Sequence, residues 1–185
     1  MHDFAVLPED QKVLLGIARA AIARHIAGEK SAVPLPEDPR LREPAAVFVT
    51  LTANGRLRGC IGTTEPREGI AAAVRSMAVA AATEDYRFSP VTAAELRNIR
   101  IEISVLSPMK RVSSPDEITK DVHGVFVRRG ARRGLFLPQV WEHFRTKKEF
   151  MDELCSQKAG LAPDAWTAPA TDIYVFTVFA FEEPR

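Results

Sequence analysis

An Asn-Gly pair, Asn54-Gly55, stands between two runs of apolar and β-branched residues. Both residue types tolerate the positive φ angles of a type I′ turn, which joins two antiparallel strands through a two-residue loop. Residues 45–52 and 56–63 are therefore predicted to form a β-hairpin. Because side chains alternate between the faces of a strand, the hairpin also predicts which residues lie together.

The second predicted strand carries a cysteine, Cys60, close to two arginines. Strict alternation places Leu57 and Ile61 on one face of this strand. The other face then carries Arg56, Arg58 and Cys60. Guanidinium groups favour the thiolate, the nucleophilic form of cysteine, so the pattern is typical of a reactive thiol.

The same residues have a purely structural interpretation. A free cysteine is among the most buried residue types and often acts as a small apolar side chain. Gly59 and Gly62 permit close approach to the backbone, by a ligand, by a packed helix or at a β-bulge. The sequence leaves a reactive and a packed Cys60 as alternatives.

The segment LRGCIG, residues 57–62, resembles the signature of the AMMECR domain family, which is named for a human chromosomal syndrome region. Further blocks of similarity follow in the same order: 85–88, 101–106, 128–130, 134–140, 158–161 and Trp166. The family usually has proline where Tyr86 stands. Beyond Cys60 and Arg58, the site residues proposed on this basis are Leu57, Gly59, Ile61, Gly62, Asp85, Arg87 and Gln139.

The resemblance implies one compact α+β domain with two lobes, covering about residues 8–183, whose biochemical activity is not established. It also implies a pathway shared with Memo-like proteins and radical-SAM proteins, which are the expected partners. Asp85 and Arg87 either line a cleft or pair with each other and fix their loop.

Hydrophobic periodicity independently predicts an α+β fold with a mostly antiparallel sheet and flanking helices. Helical spacing extends from Pro8 to about residue 27, and an alanine-rich helix is predicted to end near residue 82. Residues 99–105 alternate as a strand with one covered face, and 172–182 reads as one central strand. Three capping-box spacings mark short helices, at Thr92/Glu95, Ser114/Glu117 and Thr146/Glu149.

A hydrophobic content of 46% in 185 residues suits a single domain with its own core. The two cysteines, Cys60 and Cys155, provide neither a disulfide framework nor metal-ligand spacing, so a reducing cytoplasm is the expected location. We find no signal-peptide pattern and no membrane-length apolar run. The sequence predicts neither a metal nor a cofactor.

A net charge of +1 gives no general attraction to nucleic acids. The local exception is a turn with four arginines, Arg128, Arg129, Arg132 and Arg133. It is predicted to be a solvated or edge-protecting turn in preference to a nucleic-acid site, because no aromatic stacking pattern accompanies it.

Three functional hypotheses follow. In the first, the protein is an enzyme in which Cys60 is the nucleophile, Arg58 stabilises its thiolate or a small anionic substrate, and His123 carries a proton. In the second, the cysteine is inert, and the hairpin and segment 135–139, which ends at Gln139, form a docking surface for a pathway partner. Nucleic-acid binding by the arginine turn ranks last.

Overall fold

The computed structural model describes residues 5–184 of the chain. Its α-helices are α1 (Pro8–Ile26), α2 (Ile70–Thr83), α3 (Ala93–Leu96) and α4 (Lys147–Glu153). Its strands are β1 (Ala46–Ala53), β2 (Arg56–Gly62), β3 (Ile99–Leu106), β4 (Lys110–Arg111), β5 (Gly124–Arg129), β6 (Arg132–Phe136), β7 (Asp172–Phe176) and β8 (Val178–Glu182). They form two four-stranded sheets, in the orders β2-β1-β3-β8 and β4-β7-β5-β6. The α+β prediction is confirmed.

The chain divides into two compact units. The first consists of the residues up to Leu106 together with the segment from Phe179 onward, and the second is Ser107–Val178. The first unit therefore contains the sheet β2-β1-β3-β8, and the second contains the sheet β4-β7-β5-β6.

In the first unit, α1 and α2 cover one face of the sheet. Val47, Val49 and Leu51 of β1 point to this face and are fully buried in a core shared with both helices. Eight of the fourteen residues of α2 are buried, and most of these are alanines, so the helix packs close to the strands. The opposite face of the sheet carries the intervening residues of each strand.

The second unit has a core of its own around two aromatic rings. Trp141 stacks on Phe150 with ring centroids 3.6 Å apart and an interplanar angle of 6°. Trp141 Nε1 donates to the carbonyl oxygen of His123 at 2.7 Å, which satisfies the one polar group of this buried side chain. A π-helix, Leu154–Lys158, continues α4.

The prediction of a single strand over 172–182 is wrong. The segment is broken at Thr177 into β7 and β8, which belong to different sheets. Thr177 exchanges two hydrogen bonds with Ser107, each of 2.9 Å, so both of its backbone groups are satisfied at the break. β7 is an interior strand of its sheet, whereas β8 lies at a sheet edge. Apolar residues on both faces therefore correctly indicated a central strand for residues 172–176 but not for residues 178–182.

The three capping boxes are confirmed. In each, the Glu carboxylate accepts from the capping residue's N–H. The Thr146 hydroxyl accepts from the Glu149 N–H and the Ser114 hydroxyl from the Asp116 N–H, while the Thr92 hydroxyl donates to Glu95. These local signals were readable from the sequence because they depend on residues only three positions apart.

Candidate functional site

The hairpin turn has the predicted geometry, with φ of 52° at Asn54 and 74° at Gly55. Its second strand, however, contains a β-bulge. Leu51 lies opposite Gly59 whereas the next residue, Thr52, lies opposite Leu57, so Arg58 is the extra residue.

The bulge corrects the predicted distribution of side chains between the two faces. Residues directly opposite each other in an antiparallel pair share a face, so Leu57 lies with Thr52 on the face that also carries Cys60. Leu57 therefore does not share the face of Ile61, and it is 43% exposed. Arg58 does not extend beside the thiol but reaches the loop that follows α2.

Three side chains with complementary chemistry form a row on the face of the sheet opposite the helices. Cys60 lies opposite Thr50, and Thr50 lies opposite Glu102 of β3. The Thr50 hydroxyl donates a hydrogen bond to the Cys60 sulfur at 3.3 Å. A thiol, a hydroxyl and a carboxyl group thus occupy neighbouring strands in register.

The pairing class brings Cys60 and Thr50 especially close. In an antiparallel pair, a residue whose N–H points away from its neighbour belongs to a non-hydrogen-bonded pair, in which side chains approach most closely. The Cys60 N–H points to the outer edge of β2 and donates to Asp85 Oδ2 at 2.9 Å. Thr63 N donates to Val47 O, so that pair is hydrogen-bonded. The two pair types alternate along the ladder, and the Cys60–Thr50 pair, three positions away, is therefore the non-hydrogen-bonded type.

Asp85 joins the Cys60 backbone to Arg87. Its carboxylate is 4% exposed and accepts two bonds from the Arg87 guanidinium, at 2.9 and 2.7 Å. The hydrogen bonds from the Arg87 side chain, together with the N–H groups of Cys60 and Arg87, hold the pKa of Asp85 well below its usual range. The pKa of Arg87 is raised, mainly by Asp85 and to a smaller extent by the nearby Cys60.

Arg58 fastens the same loop at a second point. Its guanidinium bonds to Glu95 at 2.9 Å and to the carbonyl oxygens of Ser89 and Pro90. The pKa of Glu95 falls to about 2, first because of Arg58 and then because of Thr92. Arg58 is thus held by the loop and helix that cover the edge of β2.

Both glycines of the motif are required by packing. A Cβ at Gly59 would lie 2.1 Å from the carbonyl oxygen of Ala81 in α2. A Cβ at Gly62 would lie 2.3 Å from the ring of Phe48 and 2.5 Å from the carbonyl oxygen of Val47. Gly59 is therefore needed for a close contact between a helix and a strand, one of the alternatives that the sequence left open. Gly62 is needed because the ring of Phe48 covers its backbone.

Thr50 and Glu102 are site residues that the sequence reasoning did not identify. Burial raises the pKa of Glu102, and so does Glu182, while Arg100 lowers it. Glu102 lies across Thr50 from the thiol, and a raised pKa suits a carboxyl group to proton transfer. The alternation of residues 99–105 showed that Glu102 lies on the less covered face, but the pairing of β3 with β1 could not be read from it.

Two predicted residues lie in the second unit. His123 has its Nδ1 bonded to the Thr119 N–H at 3.0 Å, and burial, with Lys110, lowers its pKa. Gln139 is exposed in the short 3₁₀ helix Pro138–His143. Their roles in catalysis or docking stay predictions.

The arginines of the turn between β5 and β6 make specific contacts within the second unit. Arg128 bonds to Asp172 and to the Tyr174 hydroxyl, and Arg129 bonds to the Thr171 hydroxyl. Arg132 donates to the carbonyl oxygen of Gly160 at 2.7 Å. These contacts describe a turn fixed to its own unit.

Within residues 5–184, no group of three or more His, Cys, Asp or Glu side chains is arranged to hold a metal ion. Over the same part of the chain, no helix is both long and apolar enough to span a membrane.

The protein has an α+β fold, with two antiparallel sheets and flanking helices. It carries a candidate thiol site, the row of Cys60, Thr50 and Glu102 on the sheet face opposite the helices. The AMMECR1 family matches residues 15–181, and the chain belongs to this family. A protein of Methanopyrus kandleri is 41% identical over 95% of this chain and 89% of its own length. A protein of Methanothermobacter thermautotrophicus is also 41% identical, over 97% of this chain and 98% of its own length.

A solved structure shows the same fold. The crystal structure of an uncharacterised protein from Pyrococcus horikoshii superposes with a TM-score of 0.82 at 35% identity, covering 96% of this chain and 93% of that one.

Proposed function

We propose that this AMMECR1-family protein is an enzyme that uses the Cys60 thiol as its nucleophile. The observation that carries the proposal is the in-register row of Cys60, Thr50 and Glu102 on one sheet face. The thiol is half-buried and already accepts a hydrogen bond from Thr50. A nucleophile, a hydrogen-bond donor and a proton acceptor are the groups that covalent catalysis by cysteine requires.

Each residue of the row then has a defined role. The Thr50 hydroxyl donates to the sulfur and stabilises the thiolate, and Glu102, whose pKa is raised, is the acceptor of the thiol proton. The sulfur lone pair forms a bond to an electrophilic carbon of the substrate, and the electrons displaced from that carbon move onto its leaving group. Asp85 positions the thiol by binding the Cys60 N–H, and it does not touch the reacting atoms.

The substrate of this proposal is a small electrophile that need not be anionic. Arg58, two positions from Cys60 in sequence, is bound to Glu95, and Arg87, which shares Asp85 with the Cys60 N–H, is bound to that carboxylate. Recognition of a negative charge by Arg58 therefore has no support from its contacts. The family resemblance supports a place for the reaction in a pathway with Memo-like and radical-SAM proteins.

The test is the rate of iodoacetamide alkylation from pH 5 to 10, measured separately for Cys60 and Cys155 by mass spectrometry. Cys155 is the internal control, since it is fully buried and burial raises its pKa. Cys60 is expected to react in the native protein, and Thr50→Val and Glu102→Gln are expected to slow it or shift its pH profile. Reaction of Cys60 only after unfolding would contradict the proposal.

A second candidate is a non-catalytic docking module, and the exposure of two large side chains favours it. Leu57, on the strand of Cys60, is 43% exposed, and Tyr86, next to Asp85 in the chain, is 94% exposed. Exposed aromatic and aliphatic anchors are typical of interface centres. Loss of binding of a Memo-like protein by Tyr86→Ala, with Cys60 unreactive, would favour this candidate over the enzyme.

A further inference from the structure

The first unit contains a basic pocket on its helical side, on the opposite side of the sheet from the Cys60 row. This pocket of ≈ 260 Å³ lies between the end of α1, the segment 29–33 and the middle of α2. Its lining contains three basic side chains, Arg24, Lys30 and Arg75, together with His25. Among the lining residues, Glu29 is the one carboxylate.

Two of the cations are held in place by the segment that closes the pocket. Arg75 Nη1 donates to the carbonyl oxygen of Val33 at 2.9 Å, and Arg24 Nη1 donates to that of Ala32 at 3.3 Å. Arg24 also forms an ion pair with Glu29, with 3.5 Å between Nε and Oε2. A guanidinium group has five N–H donors, so each arginine still keeps further donors for a ligand. Both side chains are half-buried, which reduces the conformational entropy that binding would remove.

Charge and size together indicate the ligand class. Three cations against one carboxylate leave an excess of positive charge that suits a dianion. Guanidinium groups match the geometry of phosphoryl oxygens, and the hydroxyls of Ser31 and Ser76 in the lining are additional donors. The volume is slightly below the usual range for ligand pockets, about 300–1,000 Å³, which favours a small anion over a polymer.

We infer that this pocket binds a small, soluble anion that bears phosphate. The site is separate from the Cys60 row, so the inference stands whether or not Cys60 is a nucleophile. Arg75 is the central residue of the site, since it is fixed on α2 and bonds to the segment opposite.

The probe is inorganic pyrophosphate, titrated into the whole chain by isothermal calorimetry in a phosphate-free buffer. Saturable binding is expected, and Arg75→Gln is expected to weaken it about tenfold, the effect of losing one charge-assisted interaction. Arg67→Gln is the matched control, because its side chain is 80% exposed and lies outside the pocket lining. The control should keep the affinity within about twofold.

Thermal unfolding by circular dichroism establishes that each variant is folded. If Arg75→Gln does not fold, Lys30→Gln replaces it, since Lys30 is exposed at the pocket rim. Absence of saturable binding to the wild-type chain overturns the inference, and so does equal weakening by Arg67→Gln. Binding only to vesicles of phosphatidic acid in phosphatidylcholine, without pyrophosphate binding, also overturns it, because the ligand would then be a lipid headgroup.

Discussion

Asp85 Oδ2 accepts the backbone N–H of Cys60 at 2.9 Å and, at the same time, the Arg87 guanidinium at 2.7 Å. One buried carboxylate therefore connects the strand that carries the thiol to the loop that follows α2. Its ionised form makes both bonds, so the position of Cys60 depends on the charge of Asp85.

Asp85→Asn is expected to lower the stability of the protein at pH 7 and to reduce its loss of stability in acid. The pKa of Asp85 is depressed in the folded state, so the unfolded state binds the proton more tightly. The stabilisation is fully present above the unfolded pKa, about 3.9, and is lost as the pH falls from there toward the depressed folded pKa. Urea unfolding between pH 3 and pH 7 measures this difference.

Asp121→Asn is the matched control for that experiment. Asp121 is exposed and has a φ of 62°, a left-handed conformation that asparagine also adopts readily. An acid dependence that Asp85→Asn leaves unchanged would show that the contact with Cys60 does not depend on this carboxylate.

Gly59→Ala is expected to destabilise the first unit by about 1–3 kcal/mol, the usual cost of overpacking. The new Cβ would lie 2.1 Å from a backbone oxygen, so α2 would have to move away from the sheet. Gly16→Ala provides the contrast, since nothing lies within 4 Å of its Cβ position in α1. Because alanine is the better helix former, that variant should gain up to about 1 kcal/mol in urea unfolding. Equal effects of the two substitutions would refute the packing role of Gly59.

Glu102→Gln is expected to raise the stability of the protein at pH 8 relative to the wild type, with a smaller effect at pH 4. The pKa of Glu102 is raised in the folded state, chiefly by burial, so folding favours the protonated form. Wild-type stability therefore falls as the pH rises from the unfolded pKa, about 4.3, through the raised folded pKa. Glutamine does not ionise, so its advantage should appear over this interval. If the urea midpoints of the wild type and Glu102→Gln differ by the same amount at pH 4 and pH 8, the expected pH dependence is wrong.

Phe150→Ala is expected to destabilise the second unit by about 3–5 kcal/mol, because it leaves a cavity beneath Trp141. Phe150 is fully buried and stacks on that indole, so tryptophan fluorescence reports the change directly. Val122→Ala, at a side chain 48% exposed in the same unit, should change the stability by less than about 0.5 kcal/mol.

The features that could be predicted depend on residues close together in the chain. The Asn54-Gly55 turn and the three capping boxes involve neighbours within four positions, so propensity and spacing were sufficient to find them. The alternation of residues 99–105 likewise identified the covered face of β3, because burial of Ile101 and Ile103 imposes a period of two.

The features that were missed depend on the register between paired strands. The bulge at Arg58 is defined only against β1, and it reverses the faces that alternation assigns to Arg56 and Leu57 relative to Cys60. The row from Cys60 to Glu102 requires the register of three strands, and Glu102 is over forty positions from Cys60 and Thr50 along the chain. Local patterns predicted the strands but not which residues lie opposite one another.

The position of β8 has a consequence for synthesis on the ribosome. The first unit consists of residues up to Leu106 and the segment from Phe179, with the second unit between them along the chain. During translation β1, β2 and β3 emerge early, but the outer neighbour of β3 is made only after the second unit. Until then one edge of β3 has no neighbouring strand, and unpaired strand edges promote the aggregation of incompletely folded chains. Truncation before β8 would leave that edge open permanently, so residues 178–182 protect the rest of the sheet from aggregation.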